Sequence, residues 1–392
     1  MATSSRIDAR ARVFALLADR GAISRAELAR QAALAPSTVS AVVSELQAEG
    51  LVVDADVAAA EPARSVPGRP PQLIALHRRA GVALGIDVGH RHVHVAVADL
   101  SHRVIAERYE RLEAEPPAAD AISLVVELTG QALRKADVHE SEILGVGMGL
   151  PGPIHRPSGL FADADIMPGW AGVRATEAMA EALGRPVELE NDANLGALSE
   201  WMWGAGRGAD DLVFLKTATG IGAGFIVDGR PYTGVSGSAG EIGHTVLDPR
   251  GPICRCGNRG CLETIASSTA IVAALRETYG EELTIDEVIA RAVDGDAGCR
   301  RAITDAGRAI GSALGNVCNL LNPARIVIGG DLPEAGEILL EPVRETLRQS
   351  AIRGAADDAE VTVGELAGRA YVLGAVALVL RRGATLLERR VR

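Results

Sequence analysis

Residues 243–263 read GHTVLDPRGPICRCGNRGCLE and place three of the five cysteines of the chain within eight residues. Cys254, Cys256 and Cys261 form a C-x-C-x4-C pattern, and His244 lies ten positions before the first of them. Structural zinc is held by four sulfur or nitrogen ligands arranged as a tetrahedron. The pattern therefore predicts one zinc ion per chain, bound by these four residues. Four protein ligands leave no open position for water, so we expect a structural metal; the alternative is a group of thiols without metal.

The composition is that of a globular protein. Of the 392 residues, 47% are hydrophobic and 23% are charged, which is an ordinary balance for a water-exposed fold. We expect no membrane span, because no apolar run reaches about 18 residues, and no secretion signal, because the N-terminus lacks an apolar core. An odd number of clustered cysteines favours metal binding in a reducing compartment over disulfides. We therefore expect a cytoplasmic protein without a membrane partner.

The net charge of −11 is distributed unevenly along the chain. Residues 1–80 hold ten arginines and eight acidic residues, whereas the remainder holds 30 basic and 43 acidic residues. A mildly basic N-terminal segment on an acidic body suits a protein that contacts DNA only through that segment.

Residues 5–53 show the pattern of a helix-turn-helix. The segment SRAELARQA begins with Ser24, a residue type favoured at helix N-caps, and Pro36 opens a second helix that Gly50 ends. Residues 54–72 are rich in proline, alanine and charged residues, which indicates a wing loop or a linker. The sequence therefore predicts a winged helix-turn-helix at the N-terminus.

The second helix of such a motif enters the major groove of DNA with its N-terminal residues, while arginines contact the phosphate backbone or a narrow minor groove. The candidate DNA contacts are three hydroxyl residues and three arginines: Ser37, Thr38, Ser40, Arg25, Arg30 and Arg69. Two alternatives stay open. The helical pair can be a hairpin for packing or dimerisation, and the segment around Arg69 can be a plain linker.

The remainder of the chain predicts an α/β fold. From Val82 onward, short apolar strands such as VALGIDVG and VHVAVADL alternate with helices, as in sheets covered by helices. A glycine-containing turn between strands occurs twice, at residues 87–89 and 219–222, which suggests two similar halves. Such turns allow backbone N–H groups to approach a phosphate.

The segment ELENDANLGALSE places Asp192 at the end of a predicted strand, between two asparagines. A carboxylate in this position can accept a hydroxyl proton during phosphoryl transfer or bind a sugar hydroxyl. The alternative is a structural role as the N-cap of the following helix.

Together these motifs resemble the ROK family (repressors, open reading frames and kinases). The resemblance covers nearly the whole chain and rests on the cysteine cluster and five shorter motifs: GLPGP at 149–153, ENDAN at 190–194, TGIGAGFIVDG at 219–229, GEIGH at 240–244 and LNPARIVIGGDL at 321–332. It implies an N-terminal winged helix-turn-helix followed by a two-lobed, actin-like sugar-kinase domain with its ligand in the cleft. We expect residues 1–80 to form the head and linker, 81–190 with 375–392 the first lobe, and 191–374 the second lobe with the zinc site.

The resemblance also implies which residues bind a sugar. Asn191 and Asp192 come from the ENDAN motif, Glu241 and His244 from GEIGH, and Glu263 from the end of the cysteine cluster. His244 would bind zinc through one ring nitrogen and face the sugar with the other, so that the metal orients a ligand-binding side chain.

One motif departs from the family's kinases. These resemble D-x-G-G-T-K at the first phosphate loop, whereas this chain has Asp87-Val88-Gly89 followed by His90, Arg91 and His92. The second glycine, the threonine and the lysine are absent, and we expect the His90 side chain to crowd the loop. The chain therefore resembles the repressor branch, and we predict a sugar-responsive repressor of carbohydrate-utilisation genes that is not an enzyme.

Two other functions stay open. The first is an ATP-dependent sugar kinase with a DNA-binding head, in which Asp192 is catalytic. The second is an interaction protein whose activity is set by a protein of a transport system. For the repressor, the expected partners are operator DNA, a sugar or sugar derivative, and further copies of the chain in a homodimer or tetramer.

Overall fold

The computed structural model describes residues 9–14, 16–18, 22–55, 72–77, 80–152, 154–155, 160–161 and 166–382. These residues form an N-terminal head and two α/β lobes, and each lobe is built on a five-stranded sheet. The expected fold class, a winged helix-turn-helix followed by a two-lobed α/β domain, is confirmed.

The head combines three helices with a small antiparallel sheet. Its elements are α1 (residues 9–14 and 16–18), β1 (Ile23–Ser24), α2 (Arg25–Gln31), α3 (Pro36–Ala48), β2 (Val52–Ala55) and β3 (Leu73–Leu76). The strands pair in the order β1-β3-β2, so β2 and β3 form the hairpin of a wing. Residues 56–71, which include Arg69, lie outside the described residues.

Local sequence signals fix the two helices of the motif. The Ser24 hydroxyl accepts a hydrogen bond from the Glu27 N–H at 3.2 Å, and Pro36 occupies the first turn of α3. Between them Ala33 adopts a positive φ of 50°. The inward face of α3 is apolar at helical spacing and fully buried, which anchors the helix to the head; it consists of Val39, Val42, Val43 and Leu46.

The first lobe is a mixed sheet with the order β10-β7-β4-β5-β6. Its strands are β4 (Val82–Gly89), β5 (His92–Asp99), β6 (Val104–Arg111), β7 (Ile143–Leu150) and β10 (Val187–Asn191), with the short pair β8 (Ile154–His155) and β9 (Leu160–Phe161) beside it. Two helices of this lobe are α4 (Ala118–Ala136) and α5 (Ala175–Leu183). All eight residues of β4 are buried, because helices cover both faces of the sheet.

The second lobe has the sheet order β13-β12-β11-β14-β15. Its strands are β11 (Leu212–Thr217), β12 (Ile221–Val227), β13 (Arg230–Tyr232), β14 (Arg325–Gly330) and β15 (Glu360–Val363). Helices α7 (Glu263–Ala266), α8 (Ser268–Tyr279), α9 (Ile285–Val293), α10 (Ala297–Leu321), α11 (Glu337–Ser350) and α12 (Arg353–Asp358) belong to this lobe. The long helix α10 packs along α11 and joins the largest apolar core of the protein.

Two helices, α6 (Asp192–Trp203) and α13 (Ala370–Leu380), cross between the two sheets. A Cβ atom on Gly374 of α13 would lie 2.1 Å from the Leu195 carbonyl oxygen of α6. A Cβ atom on Gly224 of β12 would lie 2.4 Å from the Ala193 carbonyl oxygen. These glycines allow close packing, so the two helices connect the lobes directly.

Helix α13 packs on β4, β5 and β7 of the first lobe, although it follows the second lobe in the chain.

The domain boundaries given above stay predictions. Within the described part of the chain, we find no helix with the length and apolar character needed to cross a membrane.

Candidate functional site

A cleft of about 450 Å³ lies between the lobes. Of the residues expected to bind a sugar, Asn191, Asp192, Glu241 and Glu263 line this cleft. His244 is not a lining residue, and its Nε2 atom lies 4.0 Å from Glu241 Oε2. The structure therefore brings four of the five side chains to the cleft. The fifth, that of His244, lies behind Glu241.

Asn191 and Asp192 stand where β10 meets α6. The Asn191 side-chain oxygen accepts hydrogen bonds from the N–H groups of Ala193 and Asn194, at 2.9 and 3.3 Å, and its Nδ2 donates to the Gly152 carbonyl at 2.9 Å. Asn191 is therefore the N-cap of α6. The alternative in which Asp192 caps the helix is wrong, because the chain enters the helix one residue earlier.

Asp192 is 5% exposed and both of its carboxylate oxygens have partners. Oδ1 accepts from the Ala193 N–H at 2.8 Å, and Oδ2 forms an ion pair with the Lys216 ammonium. Burial opposes the positive charge of Lys216, but Asp192 and the charges of Asp87 and Asp331 raise its pKa above the ordinary value. The sequence analysis missed Lys216, although a lone lysine in the apolar strand VFLKT is a visible signal.

The first glycine turn of the first lobe is filled by an imidazole ring. A Cβ atom on Gly89 would lie 2.2 Å from Cε1 of His92, and His92 Nε2 lies 2.8 Å from Asp87 Oδ2. We expected His90 to crowd this turn, but His90 points to Glu115, with 2.8 Å between Nδ1 and Oε2. Because β5 begins at His92, the strand directs that side chain back over the turn.

The pairing of His92 with Asp87 predicts a pH dependence of stability. Burial of the ring opposes protonation, but the hydrogen bond and charge of Asp87, with a smaller contribution from Asp192, outweigh burial and the repulsion of Lys216 and raise the pKa of His92 above 6.5. A pKa raised by folding stabilises the protein fully below the unfolded value, about 6.5, and this contribution is lost as pH rises through the folded value.

We therefore expect the difference in unfolding free energy between the wild type and His92→Gln to be larger near pH 6 than near pH 9. Urea unfolding at both pH values measures it, and the variant serves as the reference that cancels the other titrating groups. An equal difference at both pH values would show that His92 carries no additional proton in the folded protein.

The four predicted metal ligands converge. One ligand atom from each of His244, Cys254, Cys256 and Cys261 lies within 4.8 Å of the others. A tetrahedral zinc site separates two sulfurs by about 3.8 Å, and a sulfur from a nitrogen by about 3.6 Å. The Cys256 and Cys261 sulfurs are 3.7 Å apart, and Cys254 Sγ is 3.5 Å from His244 Nδ1. The cluster can therefore hold a metal ion.

Backbone geometry brings the cysteines together. The loop is closed by isolated bridges between Val246 and Cys261 and between Ile253 and Arg259. Gly260 has a φ of 59°, and a Cβ atom there would lie 1.7 Å from the Asp248 carbonyl oxygen, so only glycine fits this turn. The ligands are thus presented by a tightly folded loop of the second lobe.

Glu263 connects this loop to the second glycine turn. Its Oε2 accepts hydrogen bonds from the Ile221 N–H at 3.2 Å and from Arg255 Nη2 at 2.9 Å. Arg255, a second cleft residue that the sequence analysis missed, sits between two cysteines and neutralises the Glu263 carboxylate. The cleft wall, the glycine turn and the cysteine loop therefore form one connected unit.

The candidate DNA contacts lie on the head as expected, with one exception. Ser37 and Ser40 are exposed and Thr38 is half-buried at the start of α3. Arg25 donates to Gln47 at 3.0 Å, and the exposed Arg30 pairs with Glu27 at 2.5 Å. Arg69 lies outside the described residues, and the roles of all six in DNA binding stay predictions.

Comparison with known proteins identifies two regions of the chain. The family model described as ROK family matches residues 83–382, and a winged helix-turn-helix DNA-binding model matches residues 10–53. The chain is 31% identical to the xylose repressor of Caldicellulosiruptor bescii over 381 residues, which cover 94% of each protein.

Two solved structures extend the comparison. A ROK family transcriptional regulator, described as a homologue of Escherichia coli Mlc, superposes with a TM-score of 0.81 at 28% identity and covers 98% of both chains. A ROK family glucokinase from Streptomyces griseus, in complex with glucose and AMPPNP, superposes with a TM-score of 0.66 at 27% identity. It covers 76% of this chain and 99% of its own.

Proposed function

The chain belongs to the ROK family, and from this premise we propose that it is a cytoplasmic, sugar-responsive repressor of carbohydrate-utilisation genes. The head binds operator DNA, and a sugar or sugar derivative binds in the cleft between the lobes. The similarity to a xylose repressor over 94% of both proteins supports this assignment.

The observation that most strongly supports the proposal is that the His92 ring fills the first glycine turn. In a kinase this turn must approach a phosphate, whereas here the His92 ring lies against Gly89 and is held by Asp87. Four of the five side chains expected to bind a sugar line the cleft. A cleft that keeps the sugar-binding side and loses the phosphate side suits a sensor that binds its ligand without converting it.

We further propose that the cysteine cluster holds one structural zinc ion per chain through His244, Cys254, Cys256 and Cys261. When bound, zinc supplies a fixed tetrahedral centre and no open coordination position. The metal would hold the His244 ring with its Nε2 4.0 Å from Glu241 Oε2, and so would keep an imidazole beside a carboxylate of the cleft. Asn191, Asp192, Glu241 and Glu263 contact the sugar, and His244 acts beside them.

The sugar signal reaches the DNA through the arrangement of the lobes. Because α6 carries Asp192 at its first position and crosses α13, a ligand bound to Asp192 contacts the element that joins both sheets. A sugar shifts the protein towards one lobe arrangement only as far as it binds that arrangement more tightly. Two heads of a homodimer, or of a dimer within a tetramer, then bind half-sites about 10 bp or a multiple of that apart.

Binding of a sugar at this site is tested by calorimetric titration with a panel of pentoses, hexoses and their 6-phosphates. Asp192→Asn replaces an acceptor oxygen by a donor, and we expect at least about tenfold weaker binding of the cognate sugar. Asp305→Asn, at an exposed position on α10, is the matched control and leaves the affinity unchanged. Equal affinity of both variants would remove Asp192 from the sugar site.

DNA binding through α3 gives a separate prediction. Ser40→Asp places a negative charge at the exposed surface of the helix that faces the phosphates, and we expect about tenfold weaker binding to operator DNA at fixed salt. Ser123→Asp makes the same change at an exposed position on α4 and serves as the control. Fluorescence anisotropy measures both variants, and unchanged affinity of Ser40→Asp would exclude α3 from the interface.

A second candidate function is an ATP-dependent sugar kinase with a DNA-binding head. The presence of Asp192 in the cleft and the superposition on a glucokinase favour it. Sugar-dependent release of ADP by the wild type, abolished in Asp192→Asn, would establish the kinase.

A further inference from the structure

We infer that Lys216 is a built-in cation of the cleft. Its ammonium group holds Asp192 in place for the sugar and makes sugar binding independent of a divalent cation. The inference rests on the proposed function and deepens it, because it concerns how the sugar-binding cleft balances its own charges. Lys216 acts through Asp192 and is therefore a positioning residue.

The strand that carries Lys216 leaves room for its side chain. In the sheet of the second lobe, Lys216 pairs with Gly222 of β12 on one side and with Gly329 of β14 on the other. Directly paired residues of neighbouring strands have their side chains on the same face. Because both neighbours are glycines, the lysine stem can extend from this face to the start of α6, where its ammonium meets Asp192.

The ammonium connects three elements that meet between the lobes. It pairs with Asp192 at the start of α6, and it lies 5.3 Å from the centre of the Tyr371 ring on α13. A cation over an aromatic face is attracted by the negative charge of that face. The β11 residue thus links both crossing helices to the sheet of the second lobe.

Two further carboxylates act electrostatically on Lys216. Asp87 of the first lobe is 2% exposed and interacts with His92, and Asp331 of the second lobe accepts a hydrogen bond from Ser268 at 3.1 Å. Asp87, Asp192 and Asp331 all act electrostatically on Lys216. Without the lysine, three acidic groups would share a mostly buried site with His92 as the nearby cation.

Buried carboxylates without a counter-ion are strongly unfavourable. They take up protons or bind a hard divalent cation, which prefers oxygen ligands. Lys216 supplies the positive charge from within the chain. It also occupies Oδ2 of Asp192, so this oxygen is not free to accept a proton from a bound hydroxyl group.

The test compares Lys216→Met, which keeps the length of the stem and removes the charge, with Lys216→Arg, which keeps the charge. The sequence has one other lysine, the exposed Lys135 on α4, so Lys135→Met is a matched control. Binding of Mn²⁺ is followed by electron paramagnetic resonance on the full-length, zinc-loaded protein. Sugar affinity is measured by calorimetry with and without Mg²⁺.

We expect Lys216→Met to gain one saturable Mn²⁺ site and to bind sugar at least about tenfold more weakly, with Mg²⁺ restoring part of the affinity. We expect no such Mn²⁺ site in the wild type, Lys216→Arg or Lys135→Met. We also expect Mg²⁺ to leave their sugar affinity unchanged. Undiminished sugar binding by Lys216→Met, or the absence of a new Mn²⁺ site in it, would overturn the inference.

If Lys216→Met does not fold, the same measurements on the wild type and Lys216→Arg test the inference. The inference would be overturned by a saturable Mn²⁺ site that is present in both the wild type and Lys216→Arg. It would also be overturned if Mg²⁺ raised the sugar affinity of the wild type. A wild-type sugar affinity that does not depend on Mg²⁺ supports the inference. The Mn²⁺ measurement needs no sugar. It therefore separates a failure of this inference from a failure of the sugar-sensor proposal.

Discussion

Replacement of Cys261 by serine is expected to lower the zinc content from one ion per chain to nearly none and to abolish the response of DNA binding to sugar. The Cys261 side chain is fully buried, and its sulfur lies 3.7 Å from that of Cys256. Burial, followed by the neighbouring thiols of Cys256 and Cys254, raises the pKa of Cys261 to about 12. A bound cation would offset the cost of ionising this buried thiol, and the cluster loses its metal when a ligand is lost.

The expected effect is large because the metal holds the loop that carries the cleft wall. Structural zinc in small domains binds with an apparent free energy of about 10–16 kcal/mol. Without it, His244 beside Glu241 and the Arg255–Glu263 pair lose their supporting loop. DNA binding without sugar is expected to persist, because the apolar core of the head is continuous with that of the first lobe and α13 and contains no residue of the cysteine loop.

Elemental analysis gives the zinc content, and anisotropy on operator DNA with the cognate sugar gives the response. Cys318→Ser is the control, because Cys318 is buried in α10 outside the cluster. It should keep one zinc per chain and the full response. A Cys261→Ser variant that retains either the zinc or the complete sugar response would contradict the proposed role of the cluster.

Replacement of Glu200 by alanine is expected to destabilise the protein by about 3–5 kcal/mol, because three backbone N–H donors lose their acceptor at a cost of about 1–3 kcal/mol each. Glu200 is fully buried near the end of α6. Its carboxylate accepts hydrogen bonds from the N–H groups of Ala205, Glu365 and Leu366, at 2.9, 3.1 and 2.9 Å. The substitution leaves three donors without this acceptor.

The loss should also weaken the sugar response. The loop held by Glu200 leads into α13, which carries Tyr371 beside Lys216. Urea unfolding measures the stability, and Glu200→Gln, which keeps the shape and one acceptor oxygen, should fall between the wild type and alanine.

Glu360→Ala is the control for Glu200→Ala. Glu360 forms an ion pair with Arg325, and its side chain is largely exposed. We therefore expect the substitution to lower the free energy of unfolding by at most about 1 kcal/mol. Equal losses for Glu200→Ala and Glu360→Ala would refute the role assigned to the Glu200 carboxylate.

Features that rest on local sequence could be predicted. Ser24 and Pro36 mark the starts of the head helices because capping and the fixed φ of proline act within one turn. The cysteine spacing predicts convergence because Gly257 and Gly260 adopt positive φ within the loop. Such signals need no knowledge of tertiary contacts.

Features that rest on strand register and helix crossing could not be predicted. Lys216 and Asp192 are 24 positions apart in sequence, and they meet only because β11 lies against the start of α6. The three N–H groups on Glu200 come from segments up to 166 positions away. His92, rather than His90, fills the first glycine turn because the register of β5 against β4 places it opposite Gly89.

The central claim is that a sugar in the cleft controls binding of the head to DNA. Fluorescence anisotropy on DNA from the protein's own upstream region, at fixed salt and with a panel of sugars, tests it most directly, because affinity for DNA depends steeply on salt. The account predicts specific binding that one sugar shifts by about tenfold or more, a coupling of at least about 1.4 kcal/mol. Specific binding that no sugar or sugar phosphate changes would contradict it and favour a protein of a transport system as the effector.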